Sequence, residues 1–504
     1  MASVTMVWSQ QQQACFDWVQ MGQGSVVVEA VAGAGKTTTL VEMVRRMRGS
    51  VNLLAFNAKM GKELKTRTAD LRNVHAGTFH SFGLRALSRV LGKFEVEEKK
   101  SLRIVQEMLE DTDEDEIEGL KPAVVQLVGL AKQMGFLVRG MVESPTARHW
   151  EGLVEKHDIM ERLPEDVTIG QVTRLSAQVL RASCEDLRTI DFDDMVYLPL
   201  LRQLRFYPAD WVLIDEAQDT NPTRREFARR MLSPTGRLVA VGDPRQAIFG
   251  FTGADHDSLD RIRETFSAGT LRLSVTYRCP KTVVRLAREH VQHIEAAPTA
   301  PDGRHLEIEY DELASVVEPG DAILCRFNRY LVSTCFRLIR AGKPAKIEGR
   351  AIGEGLAALA GRWKARTLDV LETRLATYFE REIGKAKAKD NDARVEALAD
   401  QQATMEVLVA RGRELKITSV AALQEMIRGM FDDVGASQRL VVLSSVHRSK
   451  GLEWERVFIL GRRQMMPARS AKQDWQQLQE ANLIYVALTR AQGTLVDVHM
   501  PPED

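Results

Sequence analysis

The sequence predicts an α/β protein of two lobes, each built on a parallel sheet and each carrying a mainly helical insertion. Three observations lead there. Short segments that are apolar throughout alternate with helix signals, which is the pattern of a parallel sheet buried on both faces. Two sets of such segments follow one another along the chain. Two long stretches, 91–180 and 356–436, lie within the sets and lack strand signals.

The first set opens with Ser25-Val-Val-Val-Glu-Ala30, which is β-branched and runs into a glycine-containing loop. Beyond it, Leu40, Val44 and Met47 fall at i, i+4 and i+7, on one helix face. Leu53-Leu-Ala-Phe56, Trp211-Val-Leu-Ile214 and Leu238-Val-Ala-Val241 complete this set. The second set is Leu271–Val275, Ala322–Cys325, Val441–Val446 and Val457–Leu460. In the 91–180 stretch the acidic run from Glu110 to Glu118 reads as a solvated loop or helix end. The 356–436 stretch is rich in Ala, Arg and Glu at helical spacing, with Lys385–Asp392 as an exposed turn.

Composition excludes several classes. A chain of 504 residues holds about three to four structural units, and 44% hydrophobic with 27% charged residues is ordinary globular usage. No apolar run approaches the ~18 residues of a membrane span. Met1–Gln13 is polar and lacks the layout of a secretory signal, so the chain reads as cytosolic. Five scattered cysteines contain no C-x-x-C pair, which argues against a disulfide framework or a cysteine-rich zinc site. Basic and acidic residues balance at 69 each, but unevenly along the chain. Residues 91–180 carry a net −7, 356–436 are neutral, and the remainder is +7. A mildly basic body is compatible with a phosphate-binding surface.

Ala30-Val-Ala-Gly-Ala-Gly-Lys-Thr37, between a strand and a helix, is the sharpest chemical signal. A triphosphate needs backbone N–H groups converging on its oxygens; glycine lets the chain curl that closely, and a helix N-terminus favours negative charge. Lys36 would reach the β- and γ-phosphates and Thr37 would ligate Mg²⁺. Ala30 stands where the strict pattern has its first glycine. Ile214-Asp-Glu-Ala-Gln-Asp219 follows another apolar strand. Alone it reads as a helix cap; beside the phosphate loop, Asp215 fits a Mg²⁺ ligand and Glu216 a group that polarises the attacking water.

A third strand ends in Val241-Gly-Asp-Pro-Arg-Gln246, followed by Ala-Ile-Phe249-Gly-Phe251-Thr-Gly. Gln246 could sense a γ-phosphate. Phe249 and Phe251 could stack on bases, or form a buried pair under the loop. Arg278, in Thr276-Tyr-Arg-Cys279, and Arg490, in Tyr485–Ala491 opening or within a helix, could meet a phosphate from a second lobe.

These motifs stand in a recognisable order, and the chain from about Trp8 to Gln492 resembles the UvrD/Rep-like superfamily 1 DNA helicases. The resemblance is carried by the phosphate loop, Thr78-Phe-His-Ser81, Asp191-Phe-Asp-Asp194, Asp215-Glu-Ala-Gln218, Gly242-Asp-Pro-Arg-Gln246, Tyr277-Arg278, His447-Arg-Ser-Lys-Gly-Leu-Glu453 and Tyr485–Ala491. It implies two RecA-like motor lobes. The first is 1–90 with 181–270, interrupted by 91–180; the second is 271–355 with 437–504, interrupted by a reduced insertion at 356–436. It implies ATP and Mg²⁺ as cofactors, hydrolysed in a cleft between the lobes. Gln12, or Gln11 in the same run, would read the adenine, and Tyr277 would stack on it. Gly33, Ala34, Gly35, Lys36, Thr37 and Thr38 would line the phosphates. Glu453 would approach the ribose, Gln246 would link γ-phosphate to DNA, and Arg278 with Arg490 would clamp the γ-phosphate. Phe56, Thr78, His80, Phe251 and His447 match positions facing single-stranded DNA; the two histidines also fit plain loop or core positions, and Tyr277 fits a core one.

The expected activity is an ATP-dependent single-stranded DNA translocase and helicase, 3′ to 5′ by resemblance, acting on single strands and junctions and monomeric when isolated. The rival expectation is a DNA-binding ATPase subunit of a nuclease or defence complex, with the insertions as docking surfaces. The reduced second insertion, and Thr252 where many members carry Arg, depart from the family pattern.

Overall fold

The computed structural model describes all residues except 1–6, 111–119, 158, 161–162, 164–166, 249–256, 389–390, 433–439 and 502–504. Phe249, Phe251, Thr252 and most of the acidic run at 110–118 therefore lie outside the described residues. The chain forms two compact units, Met1–Val31 with Gly35–Ser274, and Ala32–Ala34 with Val275–Asp504. No helix among the described residues is long and apolar enough to cross a membrane.

The first unit is built on six strands: β1 (Val26–Ala30), β2 (Val51–Ala55), β3 (Val74–Thr78), β4 (Ala209–Ile214), β5 (Leu232–Gly242) and β6 (Gly269–Leu273). They lie in the order β3-β2-β4-β5-β1-β6, and every pairing is parallel. The central strands are buried along most of their length, in keeping with their Val-, Leu- and Ile-rich runs, with Glu29 half-buried in β1 and Asp210 exposed near the start of β4. Because all the strands run the same way, their carboxyl ends share one edge of the sheet. That is where ligands bind in open α/β folds.

One sequence expectation is corrected here. The segment Leu271–Val275, placed with the second set, is split. Its amino-terminal part belongs to β6, paired with β1 from Val26↔Gly269 to Ala30↔Leu273. Val275–Thr276 pairs instead with Glu295–Ala296 in the second unit. An apolar run reveals that a strand exists but not which sheet it joins.

The 91–180 stretch holds the helices α1 (Lys100–Met108), α2 (Leu120–Met134), α3 (Ala147–Lys156) and α4 (Ile169–Glu185), the last running five residues beyond 180. Against expectation it also holds a two-residue strand, Glu95–Val96, paired with Thr189–Ile190. Two residues are too few to show alternation. These helices share one apolar core with the sheet and with α5 (Phe192–Leu201), including Val124, Leu127, Val128, Trp150, Val179 and Tyr197. A buried ion cluster lies within this core. Lys100 Nζ sits 2.8 Å from Asp194, and Lys132 Nζ sits 2.6 Å from Asp191 and 2.8 Å from Asp194. Burial would lower the Lys132 pKa, but the two carboxylates overcome it and raise it.

The second unit holds β7 (Arg304–Glu309), β8 (Ala322–Cys325), β9 (Ala345–Glu348), β10 (Phe431–Asp432), β11 (Val441–Ser445), β12 (Trp454–Leu460) and β13 (Ala491–His499). Their order is β7-β13-β12-β8-β11-β9-β10, again all parallel. The second insertion is mainly helical, with helices Leu368–Ala388, Asp392–Glu414 and Val420–Met430, although β10 within it is a short strand the sequence did not signal. Lys385–Ala388 is the last turn of a helix rather than an exposed loop, and Asn391 caps the next helix through the Arg394 N–H. Leu371, Leu375, Phe379, Leu408 and Leu423 join the core beneath the sheet.

Candidate functional site

At the carboxyl end of β1 the chain turns through Gly33 (φ 72°) and Gly35 (φ 76°) into the helix Lys36–Arg46. Positive φ at both positions explains glycine there. Gly35 is the N-cap and offers no side-chain acceptor, and the first helical turn holds no acidic residue. The N–H groups of that turn therefore have no side-chain cap, which leaves them available to an anion.

Two carboxylates from the end of β4 face this helix. Thr37 Oγ1 donates to Asp215 Oδ2 at 3.2 Å, and Lys36 Nζ lies 3.8 Å from Glu216 Oε1. Glu216 holds a left-handed backbone (φ 51°), unusual for a non-glycine residue and typical of functional sites. Asp215 is 1% exposed. Burial, with Glu216 adding to it, pushes its pKa up to about 7, against the lowering pull of Lys36 and the Thr37 hydroxyl. A hydroxyl and a buried carboxylate form the hard oxygen donor set that suits Mg²⁺, so these residues fit the ion.

This burial has a measurable consequence. The folded-state pKa of Asp215 lies above its ordinary 3.8. The carboxyl is therefore accommodated at low pH and costs stability as pH rises through the folded value. Asp215→Asn is expected to stabilise the nucleotide-free protein by about 1–3 kcal/mol near neutral pH, with the gain shrinking as the solution is acidified. Denaturant titrations across that pH range check this. A gain independent of pH would contradict it.

β5 adds a polar relay. Gln218 Nε2 donates to Glu216 Oε2 at 2.5 Å, and Gln218 Oε1 accepts the Asp243 N–H at 3.1 Å. Gln246 Nε2 donates in turn to Asp243 Oδ2 at 2.8 Å. A Cβ on Gly242 would come within 2.6 Å of Gln218 Oε1, so only glycine admits the relay. Burial raises the Asp243 pKa, with Lys36 opposing. Gln218 and Asp243 stood inside recognised motifs, but sequence reading gave them no role; only their contacts reveal it.

The glutamine run is resolved by position. Gln12 Nε2 donates to Thr39 Oγ1 at 3.1 Å, and Gln12 lies next to Gly35, 3.4 Å from where a Cβ would stand. Gln11 turns to Ser274 instead, accepting its N–H and donating to its hydroxyl, both at 2.7 Å. Thr38 accepts from Arg67 at 3.0 Å.

The ends of β2 and β3 carry an aromatic and basic patch. Arg224 lies 4.8 Å from the Phe56 ring centroid and 5.8 Å from that of Phe79. Thr78 caps the helix Phe79–Leu91 by accepting the Ser81 N–H at 3.1 Å. His80 packs edge-on to the half-exposed Phe192, with centroids 6.2 Å apart. Burial, then Arg224, pulls the His80 pKa down to about 4, so its ring is neutral. Arg224 went unnoticed in the sequence because one arginine in a helix is ordinarily a solvated charge; it also donates to the Asp219 carbonyl at 3.3 Å.

In the second unit Tyr277 is 49% exposed, so it does not occupy the plain core position that the sequence left open. Arg278 is paired with Glu453, a partnership invisible in the sequence. Gln492 donates to the other Glu453 oxygen at 2.9 Å. Arg490 lies just beyond the helix Asp474–Leu488 rather than opening it or within it. Its guanidinium is fully buried and donates to the carbonyls of Val486 at 2.9 Å and Leu452 at 3.0 Å. His447 follows β11; burial, then Arg326, pulls its pKa down to about 3.

Comparison with known proteins identifies the family. Residues 8–267 match the family model of the UvrD/REP helicase N-terminal domain, and 367–497 that of the UvrD-like helicase C-terminal domain. The ATP-dependent DNA helicase PcrA of Staphylococcus epidermidis is 24% identical over 298 residues, 55% of this chain and 39% of that protein. The ATP-dependent DNA helicase Rep of Escherichia coli is 26% identical over 305 residues, 55% of this chain and 42% of that protein. A probable DNA helicase II homolog of Rickettsia conorii is 23% identical over 359 residues, 64% of this chain and 52% of that protein. The matched region thus spans about two fifths to one half of these relatives. With a family model covering more than half of its residues, the chain belongs to the UvrD/REP helicase family.

Proposed function

We propose that this protein is an ATP-dependent motor that moves along single-stranded DNA, 3′ to 5′, and separates the duplex ahead of it. The observation that carries this reading is one shared sheet edge. The phosphate loop with Lys36 and Thr37, the Asp215–Glu216 pair, and the Phe56–His80–Arg224 patch all stand at carboxyl ends of parallel strands. Lys36 and the free N–H groups of its helix hold the β- and γ-phosphates. Thr37 and Asp215 would hold Mg²⁺, which would supply charge neutralisation for the transferring phosphoryl group. Glu216, fixed by Gln218 and close to Lys36, orients the attacking water and takes its proton. Gln246 and Asp243 connect this chemistry to the strand-facing side of the sheet. Gln12 sits where it can read the adenine, and the nucleotide roles that the resemblance gives Tyr277, Arg278, Glu453 and Arg490 are part of the same proposal.

Two neutral histidines, His80 and His447, support stacking and hydrogen bonding to the strand rather than ion pairing with phosphates. The test is steady-state ATP hydrolysis with and without single-stranded DNA at low salt, because phosphate contacts weaken steeply as salt rises. Strong stimulation is expected. Nucleotide binding with no stimulated turnover would overturn the motor reading.

A further inference from the structure

In the second unit β7 stands at the edge of the sheet, with β13 as its neighbour. The parallel register sets Glu307 opposite Asp497. Side chains two apart on a strand share a face, so His305 and Glu307 of β7 and Asp497 and His499 of β13 stand together on one side of the sheet. Two carboxylates facing each other across a strand pair repel. Each is met here by both an arginine and a histidine. Arg462 holds Asp497 in a fork, with Nε 2.7 Å from Oδ1 and Nη2 2.5 Å from Oδ2. Arg463 lies 3.2 Å from Glu307 Oε1. His305 Nε2 lies 3.0 Å from Asp497 Oδ2, and His499 Nε2 lies 3.1 Å from Glu307 Oε2. The two arginines already balance the two carboxylates; the imidazoles add donor atoms that charge balance does not call for.

A metal site needs suitable donors at the right spacing, an ordered outer shell and a way in. One ligand atom from each of His305, Glu307 and Asp497 lies within 4.8 Å of the others. Zn²⁺ takes imidazole nitrogen and carboxylate oxygen at about 2.0–2.2 Å, which puts two tetrahedral ligands roughly 3.3 Å apart. His305 and Asp497 are already close to that spacing, and Glu307, on an exposed side chain, has the freedom to close on them. The outer shell is present, because Arg462 and Arg463 grip the carboxylates as outer partners of metal ligands do. Burial would raise the Asp497 pKa, but Arg462 and His305 outweigh it and lower it, so this carboxyl is ionised, as a ligand must be. Asp497 is 3% exposed while Glu307 faces solvent on the edge strand, which gives an ion its route in.

We propose that His305, Glu307 and Asp497 form a site for one divalent transition-metal ion of the Zn²⁺ type, with water as the fourth ligand and Arg462, Arg463 and His499 orienting the carboxylates. An imidazole among the donors favours such an ion over Mg²⁺, which prefers oxygen alone. The ion takes the place of the His305–Asp497 hydrogen bond and ties the edge strand β7 to β13.

The test is a calorimetric titration of the full chain, free of added histidines, with Zn²⁺ as the probe. Mg²⁺ is kept in excess so that the Thr37–Asp215 pair is not read as the new site. The parent is expected to bind one equivalent at this site and to gain in Tm as it fills. His305→Gln keeps a hydrogen-bond donor to Asp497 but offers no imidazole nitrogen. It is expected to weaken that equivalent by more than the ~10–100-fold that the loss of an outer partner costs. Glu307→Ala, at an exposed edge position, gives an independent reading with a loss of at least about tenfold. Thermal unfolding without metal shows that each variant is folded. A parent that binds no Zn²⁺ in the presence of Mg²⁺ overturns the assignment, and so does either folded variant that binds as tightly as the parent.

Discussion

Lys36→Ala is expected to lower DNA-stimulated ATP hydrolysis by a factor of roughly 10²–10³. Phosphoryl transfer offers the protein little covalent chemistry, so its rate rests on positioning and on charge stabilisation at the transferring group. Lys36 is the cation at the head of the helix Lys36–Arg46, to which the proposed function assigns the phosphates, and is largely buried close to Glu216. Removing an ammonium from such a site forfeits about 3–4 kcal/mol of transition-state stabilisation, and a loss of that size is a factor of several hundred to a thousand. The substitution also removes the ammonium that lies 3.8 Å from Glu216 Oε1, so the carboxylate loses that charge partner. Single-turnover and steady-state hydrolysis assays distinguish lost chemistry from lost binding. Turnover undiminished in Lys36→Ala would sink the assignment of this loop as the nucleotide site.

The second large effect is structural. Asp194→Ala is expected to destabilise the first unit by about 3–5 kcal/mol. Asp194 is fully buried and meets both Lys100 and Lys132, while Asp191 supplies the second carboxylate. Deleting Asp194 leaves two buried ammonium groups facing one carboxylate. Lys100 retains only the Ser183 and Asp186 carbonyls, both at 2.7 Å, as hydrogen-bond acceptors. No water-exposed escape exists for either lysine, since they are 0% and 1% exposed. The damage falls on the joint between the helical insertion and the sheet, because Lys100 and Lys132 come from α1 and α2 while Asp191 and Asp194 begin α5. Denaturant unfolding followed by tryptophan fluorescence reads this, with Trp150 in the same core as a local reporter. A loss under about 1 kcal/mol would mean that the cluster is solvated and behaves like a surface pair.

The sequence showed the order of the motifs and the parallel α/β class because both are local properties. A glycine-rich turn between a β-branched strand and an amphipathic helix is written in consecutive residues. So is an acidic pair after an apolar strand. Leu271–Val275 shows where such reading stops. Its pattern was right for a strand, but the run is divided between two sheets, and hydrogen-bond partners are not encoded in period. Lys385–Asp392 looked like a polar turn, yet its first half is helix. Lysine and alanine are good helix formers, and polarity alone did not end the helix. The strands Glu95–Val96 and Phe431–Asp432 were missed because two residues carry no periodicity.

By itself, then, the sequence determined the parallel α/β class, the family and the order of the motifs, since those depend on residue type and on short spacing. Tertiary structure alone decided which of them meet. It put Gln12 and not Gln11 beside the phosphate loop, placed Gln218 and Asp243 between Glu216 and Gln246, and set Arg224 over Phe56. It buried Lys100 and Lys132, which residue type would have left in water. It also brought His305 and Glu307 to Asp497 across two neighbouring strands. The physical reason is the same throughout. Burial and partnership set the energy of a charged or polar side chain, and both depend on segments far apart in the chain being folded together.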